Sequence, residues 1–210
     1  MVIAIDGPAG SGKSTIAKRL ARTLNVVFLN SGSFYRGITL SLLDNGVNME
    51  DSSAVCAHAA ALDLSYERER LSVNGVDVDD LLHTDRVDAW VAQVSAIPEL
   101  RIIVNTKLRQ ITKSMSIVCE GRDMTTVVFP DAEYKFFLDA SLEVQAMRRY
   151  KQGVSSLTLE EIKDSIRKRD EIDKNKISGA LKIADDALYI DTSDLTIEQV
   201  CEIIISKIYI

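Results

Sequence analysis

The chain has 210 residues, of which 46% are hydrophobic and 27% charged, and its formal net charge is −6. This length suffices for one well-packed core, or for a core with a small inserted domain. The acidic balance argues against a protein that binds nucleic-acid polymers or anionic membranes over a broad face. No apolar run approaches the ~20 residues of a membrane span, and Met1 leads into an apolar segment without a signal-peptide pattern.

The three cysteines, Cys56, Cys119 and Cys201, are widely spaced and form no C-x-x-C pair. This spacing predicts reduced, buried thiols in a cytoplasmic protein. The two histidines, His58 and His83, are isolated from each other, which argues against a zinc site. We expect a monomer.

The opening of the chain carries the most specific motif. An apolar run at residues 1–5 predicts a strand, and a helical pattern begins at Ile16. Between them the sequence fits G-x-x-x-x-G-K-[ST], the phosphate-binding P-loop. The predicted ATP-binding residues are Gly7, Pro8, Ala9, Gly10, Ser11, Gly12, Lys13, Ser14 and Thr15.

The residue types of this loop match what a nucleotide phosphate requires. Glycines let successive backbone N–H groups point at phosphate oxygens, and the following helix N-terminus adds partial positive charge. Lys13 can reach the β- and γ-phosphates, which makes it a predicted catalytic residue, and the Ser14 hydroxyl can ligate Mg²⁺. The loop therefore predicts ATP binding with Mg²⁺ as the cofactor.

The next eighty residues depart from a simple alternation of strands and helices. A second strand is predicted at residues 26–29, followed by helices at about 34–43 and 54–62. Alternating apolar and polar residues flank Asn74 and Gly75, which is a strong β-hairpin signal. From 84 to about 113 the pattern is helical, with an interruption at Pro98. We therefore predict that residues 31–113 form an insertion with its own small antiparallel sheet.

Strands and helices alternate again after residue 113. Strands are predicted at 116–119, 134–138 and 187–191, and helices follow at 141–151 and from the capping box at Thr158. The last helix is expected to bury Ile197, Val200, Cys201, Ile204 and Ile208. The predicted fold class is α/β, a P-loop NTPase fold whose five-stranded parallel sheet has helices on both faces. Residues 1–30 and 114–210 would form its core ATP-binding domain.

Arginines recur where predicted strands end and linkers begin. They are Arg36, Arg101, Arg122, Arg148, Arg149 and Arg169. Phosphoryl transfer needs two phosphates held in line and their charge neutralised, and arginine binds phosphate as a planar, permanently charged fork. The link after Gly153 predicts a short lid at about 149–158 that excludes water, with Arg148 and Arg149 as catalytic residues.

Five segments, 5–15, 31–36, 98–101, 121–132 and 169–173, together resemble the bacterial cytidylate kinase family, and the resemblance covers nearly the whole chain. It implies transfer of the γ-phosphate of ATP to CMP or dCMP, giving ADP and CDP or dCDP. It also implies that the insertion is a monophosphate-binding domain. The CMP site implied by the resemblance consists of Ser31, Tyr35, Arg36, Arg101, Gly121, Arg122, Asp123, Arg169, Asp173 and Lys176.

The chain departs from the family pattern at four positions. Asn30 stands in place of the usual Asp, Lys176 in place of Arg and Ala180 in place of Pro. Ala92 lies where some members use a serine to touch the cytosine, and Ser95 is a candidate to supply that hydroxyl from the same helix face. Asp123 can accept from the cytosine amine while Arg101 donates to the ring, which predicts CMP well ahead of UMP.

Other functions stay open on the residues alone. A GTPase switch lacks its N-K-x-D guanine motif, and an ATPase would need an acid such as Asp139 at a strand end, followed by a water-activating Glu that is not present. A different small-molecule P-loop kinase is the serious rival, because the fold alone does not choose the acceptor. A non-catalytic nucleotide-binding module is the remaining alternative.

Overall fold

The structure is a computed structural model that describes residues 1–113, 115–153 and 157–208. Its central sheet consists of β1 (Val2–Asp6), β2 (Val27–Asn30), β6 (Ile117–Gly121), β7 (Tyr134–Asp139) and β8 (Leu188–Asp191). All neighbouring strands run parallel, in the order β2-β6-β1-β7-β8. The predicted five-stranded parallel sheet is confirmed.

Two helices, α1 (Lys13–Leu24) and α9 (Ile197–Ile208), cover one face of this sheet. Two others, α7 (Leu142–Lys151) and α8 (Leu159–Asn175), pack against each other. The core under α1 and α9 joins Ile16, Leu20 and Ile204 to strand residues such as Ile5 and Phe28. A smaller apolar cluster joins α7 to α8, which places both helices beside the phosphate loop.

The segment between β2 and β6 contributes the opposite face. Its helices are α2 (Ser31–Asp44), α3 (Ser52–Ala61), α4 (Asp85–Asp88), α5 (Val91–Val94) and α6 (Pro98–Thr112). Its antiparallel sheet consists of β3 (Leu64–Glu67), β4 (Arg70–Val73) and β5 (Val76–Asp77), as the Asn74–Gly75 turn predicts. One continuous core joins Leu29 and Cys119 of the main sheet to Phe34, Leu71 and Leu100 of this segment.

The first helix of this segment begins earlier than predicted. α2 begins at Ser31 rather than Phe34, because the Asn30 side chain caps it by accepting from Gly32 N at 2.9 Å. The predicted helical stretch from 84 is also more broken than expected, since α4 and α5 each have 4 residues. Pro98 begins α6, where a missing N–H costs nothing.

Two burial predictions are wrong. Ile197 is 41% exposed because it lines the cleft described below, whereas the other four predicted residues of α9 are buried. Cys56 is half-buried, since the side of α3 that faces the core carries Val55 and Ala59. Cys119 and Cys201 are free and buried, as predicted.

The sequence prediction missed a π-helix at Met124–Val128. The predicted lid at 149–158 lies partly outside the described residues, because 154–156 are not among them. In the described ranges, no helix combines the length and apolar character that crossing a bilayer requires.

Candidate functional site

A cleft of about 1320 Å³ lies at the carboxyl ends of β1, β2 and β6. Such strand ends are where open parallel sheets bind ligands. Residues from the phosphate loop, α2, α6, α7 and α8 line it, so segments far apart in sequence face one another. The predicted site residues line it, apart from Gly7 and Pro8.

The phosphate loop runs from β1 into α1 in the predicted conformation. Gly7 has a φ of 151°, and a Cβ there would lie 1.9 Å from the Leu138 carbonyl oxygen, so this turn requires glycine. Gly12, with a φ of 93°, is the N-cap of α1. The open end of α1 therefore points its backbone N–H groups into the cleft, which is the geometry of an anion site.

Lys13 is folded back into this loop. Its ammonium donates to the Pro8 carbonyl and, at 3.3 Å, to Ser11 Oγ. Burial, and after it the charge of Arg122, lower the pKa of Lys13 to about 7. A lysine in this state gains its full charge when an anion binds beside it.

Two buried acids beside the loop were missed by the sequence prediction. Glu120, the fourth residue of β6, accepts from Ser14 Oγ at 2.7 Å and is 4% exposed. Asp6 is fully buried and accepts from Met124 N, Thr125 N and Thr125 Oγ1. Burial raises the pKa of Asp6 to about 6 against these three donors. The signal for both acids was their place at the ends of buried strands.

Ser31 and Gly121 meet at the junction of β2 and β6. Ser31 Oγ donates to the Glu120 carbonyl at 2.8 Å. A Cβ at Gly121 would lie 2.5 Å from that hydroxyl, so only glycine permits this approach. These two residues form the floor between the phosphate loop and the predicted CMP side.

Arg101 and Tyr35, from the segment between β2 and β6, form a buried group with Asp123, which follows β6. The Arg101 guanidinium donates to the Asp123 carboxylate and, at 2.9 Å, to the Ser95 carbonyl. It also lies 5.3 Å from the centre of the Tyr35 ring. Burial raises the pKa of Tyr35, so its hydroxyl stays protonated.

A second charged group joins α8 to α5 and β6. Asp173 accepts from Arg122 Nε at 2.8 Å and from Lys176 Nζ at 2.6 Å. Lys176 also donates to Ser95 Oγ at 2.8 Å. Burial would raise the pKa of Asp173, but the charges of Arg122 and Lys176 hold it well below its usual range. The Ser95 hydroxyl in turn donates to the Ala92 carbonyl at 3.0 Å.

Three arginines from three helices converge on the carboxylate of Asp88, which the sequence prediction missed. Arg36 Nη2 lies 2.6 Å from Asp88 Oδ1, Arg149 Nη2 lies 2.7 Å from Oδ2, and Arg169 Nη1 lies 3.8 Å from Oδ1. Burial and then the charge of Arg36 lower the pKa of the adjacent His83 to about 4. This corner of the cleft is strongly positive apart from Asp88.

Arg148 contacts the phosphate loop itself. Its guanidinium donates to the Ser11 carbonyl at 3.3 Å and to the Thr192 carbonyl at 2.7 Å. Arg149, one residue later, points toward the insertion instead. The two predicted catalytic arginines thus lie on different sides of the cleft.

Some buried polar atoms in the cleft lack a hydrogen-bond partner within the described ranges. They are Tyr35 OH, Arg101 Nε and Arg169 Nε. Buried polar groups in native proteins are almost always satisfied, so such atoms indicate a polar ligand. All three belong to residues of the predicted CMP site.

A phosphate loop that faces a second, arginine-lined pocket on a parallel sheet defines a P-loop kinase fold. A solved shikimate kinase from Bacteroides thetaiotaomicron has this fold, with a TM-score of 0.53 at 13% identity over 100% of this chain and 99% of that one. An uncharacterised protein from Eubacterium ventriosum has a TM-score of 0.57 at 16% identity, over 100% and 98% of the two chains.

Sequence comparison is more specific. The family model described as cytidylate kinase matches residues 3–209. A cytidylate kinase from Caldanaerobacter subterraneus is 43% identical over 95% of this chain and 91% of its own. One from Borrelia hermsii is 44% identical over 98% of this chain and 96% of its own. The chain belongs to the cytidylate kinase family.

Proposed function

We propose that this protein transfers the γ-phosphate of ATP to CMP or dCMP, giving ADP and CDP or dCDP. The observation that carries the proposal is the pairing, within one cleft, of the phosphate loop with the Arg101–Asp123 group and three converging arginines. Membership of the cytidylate kinase family supports the same reaction.

In this proposal the loop residues Gly7 to Thr15 bind the ATP phosphates through backbone N–H groups. An oxygen of the acceptor phosphate attacks the γ-phosphorus as the bond to the ADP oxygen breaks, in line. Lys13, Arg148 and Arg149 stabilise the charge of the transferring group from different sides. No strong general base is needed, since the attacking oxygen is already anionic.

The residues beside the loop fit Mg²⁺. Ser14 Oγ and the Glu120 carboxylate lie 2.7 Å apart, and Mg²⁺ prefers hard oxygen ligands combined with substrate phosphates. We propose that Ser14 and Glu120 hold the ion, Ser14 directly. When bound, Mg²⁺ supplies charge neutralisation on the phosphates.

On the acceptor side, we propose that Arg101 and Asp123 bind the cytosine. The carboxylate accepts from the exocyclic amine, and the guanidinium donates to N3 and O2. Ser31, Tyr35, Gly121, Asp173 and Lys176 surround the nucleoside, while Arg36, Arg122 and Arg169 lie on the phosphate side. The contacts of Lys176 with Asp173 and Ser95 support a role beside the nucleoside.

Three further features of the chain belong to the proposal. Residues 1–30 and 114–210 form the ATP-binding core, and 31–113 form the monophosphate-binding insertion. A lid at about 149–158 closes over the nucleotides. The protein acts as a cytoplasmic monomer on ATP and CMP or dCMP.

The reaction is tested by ADP release with ATP, Mg²⁺ and one acceptor at a time: CMP, dCMP, UMP, AMP, shikimate or none. We expect CMP and dCMP to exceed UMP in kcat/KM by ~10²-fold or more, because UMP leaves buried groups mispaired. ADP release that is equal without an acceptor, or faster with shikimate, would contradict the proposal.

Base choice is tested by Asp123→Asn. An amide can donate to the uracil O4 as well as accept, so the ratio of kcat/KM for CMP and UMP should shrink. A ratio also cancels any loss of folded protein when the Arg101 pair is broken. Asp186→Asn is the control, because this exposed acid pairs with Lys135 outside the cleft. An unchanged ratio in Asp123→Asn would show that the base is read elsewhere.

A further inference from the structure

Asp88 occupies an unusual position in the cleft. It is the last residue of α4, and its two carboxylate oxygens face guanidinium groups from α2, α7 and α8. Arg36 is 7% exposed and makes its other hydrogen bond to the Leu82 carbonyl, so it is fixed in place. The side chain of Asp88 is 23% exposed, so solvent reaches this carboxylate.

The Asp88 carboxylate is a negative charge among positively charged side chains. Burial would raise the pKa of Asp88, but Arg36, Arg169 and Arg149 outweigh it and hold the pKa below its ordinary value. Three cations gathered from separate helices repel one another unless an anion lies among them. In the structure that anion is Asp88, a side chain of the protein itself.

We propose that Asp88 is an internal anion that occupies the arginine site of the acceptor phosphate and is displaced when the monophosphate binds. The inference rests on the proposed function for the identity of the acceptor. A carboxylate offers two oxygens and one charge, whereas a phosphate monoester offers three oxygens and up to two charges. The phosphate therefore satisfies Arg36 and Arg169 better than the carboxylate does, and its binding leaves Arg149 free for the transferring group, so the exchange is favourable.

The consequence is that Asp88 sets the affinity for the acceptor. Any group that binds these arginines must displace the carboxylate, whereas a nucleoside without phosphate neither displaces it nor gains from the arginines. Anions that bind the arginines only weakly are excluded, because they cannot displace the carboxylate. Asp88 is thus a specificity-determining residue that discriminates through competition, while the arginines provide the attraction.

The test compares wild type, Asp88→Asn and Asp44→Asn by calorimetric titration with CMP, cytidine and inorganic phosphate. Asp44 is a matched control, because this half-exposed acid carries the same charge and pairs with Arg86 of α4, the helix that carries Asp88. We expect Asp88→Asn to bind CMP and inorganic phosphate roughly tenfold or more tightly, with cytidine unchanged. Asp44→Asn should match wild type throughout.

Two further variants separate competition from a structural role. Asp88→Glu keeps the carboxylate and should keep the wild-type affinities, and Asp88→Ser should behave as Asp88→Asn. In turnover, KM for CMP should fall in Asp88→Asn without a rise in kcat. Equal or weaker binding of CMP and inorganic phosphate by Asp88→Asn and Asp88→Ser, in folded protein, would overturn the proposal and make Asp88 a residue that positions Arg36.

Failure of the proposed function would look different. If the wild-type protein released no ADP with CMP, the proposed transfer of phosphate from ATP to CMP would be wrong. The inorganic phosphate titrations would still decide whether Asp88 competes with an anion, since they need neither CMP nor turnover.

Discussion

Lys13 illustrates how one residue changes state with its ligand. Within the loop its ammonium is bound by the Pro8 carbonyl and Ser11 Oγ, and burial lowers its pKa to about 7. A lowered pKa means that much of Lys13 is neutral at pH 8 in the free protein. A polyphosphate beside the amine favours the charged form and raises the pKa again.

Binding of ATP at pH 8 should therefore take up protons. Titration in two buffers of different ionisation enthalpy measures this uptake, which we expect to approach ~1 proton per site. Lys13→Met should abolish most of it, while Lys207→Met, at the far end of α9, should not. The same uptake in Lys13→Met and wild type would mean that another group gains the proton.

The π-helix at Met124–Val128 is the element that links β1 to the segment after β6. Its first two residues donate three hydrogen bonds to the Asp6 carboxylate at the end of β1. Because β1 leads directly into the phosphate loop, this contact ties the loop to the segment that carries Arg122 and Asp123. The element holds the two halves of the site at a fixed spacing.

Asp6→Asn should lower the free energy of unfolding by about 1–3 kcal/mol, because the amide would turn an N–H toward donors. The folded pKa of Asp6 is about 6, above its ordinary 3.8. The stabilisation from this group is therefore full below about pH 4 and declines as pH rises through 6. Urea unfolding should show a larger loss at pH 5 than at pH 7, with Asp186→Asn as the control. A larger loss at pH 7 would contradict this assignment.

At the scale of the whole molecule, ion pairs join the segment between β2 and β6 to the rest of the chain at two separate places. Glu69, in the turn between β3 and β4, lies 3.7 Å from Arg22 of α1. Asp88 lies 2.7 Å from Arg149 of α7. Exposed ion pairs contribute little to the free energy of unfolding. We therefore expect these pairs to act mainly on how the segment between β2 and β6 approaches the rest of the chain.

Arg149 takes part in one of these ion pairs and, in our proposal, stabilises the transition state of phosphoryl transfer. Arg149→Ala should reduce kcat by ~10²-fold or more, a few kcal/mol of electrostatic stabilisation. Arg167→Ala removes an exposed arginine of α8 that pairs with Asp164 and should leave kcat unchanged. Steady-state turnover at saturating ATP and CMP is the measurement. A loss below twofold would reduce Arg149 to a surface residue.

The sequence could predict the parts of the site that lie close together in the chain. The phosphate loop has a fixed spacing, and Asn74–Gly75 specifies its hairpin locally, so both were predicted correctly. Glu120 contacts Ser14, which lies far away in the sequence, and this contact indicates its role in the site. The same is true of Asp88 and Arg149. No local pattern reports such convergence, and the same holds for the exposure of Ile197.

The strand order has a consequence for how the chain is made. β1 is synthesised long before its neighbours in the sheet, β6 and β7, because Val2 pairs with Ile117 and Ile3 with Tyr134. On the ribosome β1 must therefore remain without either neighbour until the whole insertion has emerged. Long-range parallel pairing of this kind is slow and leaves apolar segments open to aggregation. The nucleotide site is thus among the last parts of the nascent protein to form, after the locally paired hairpin.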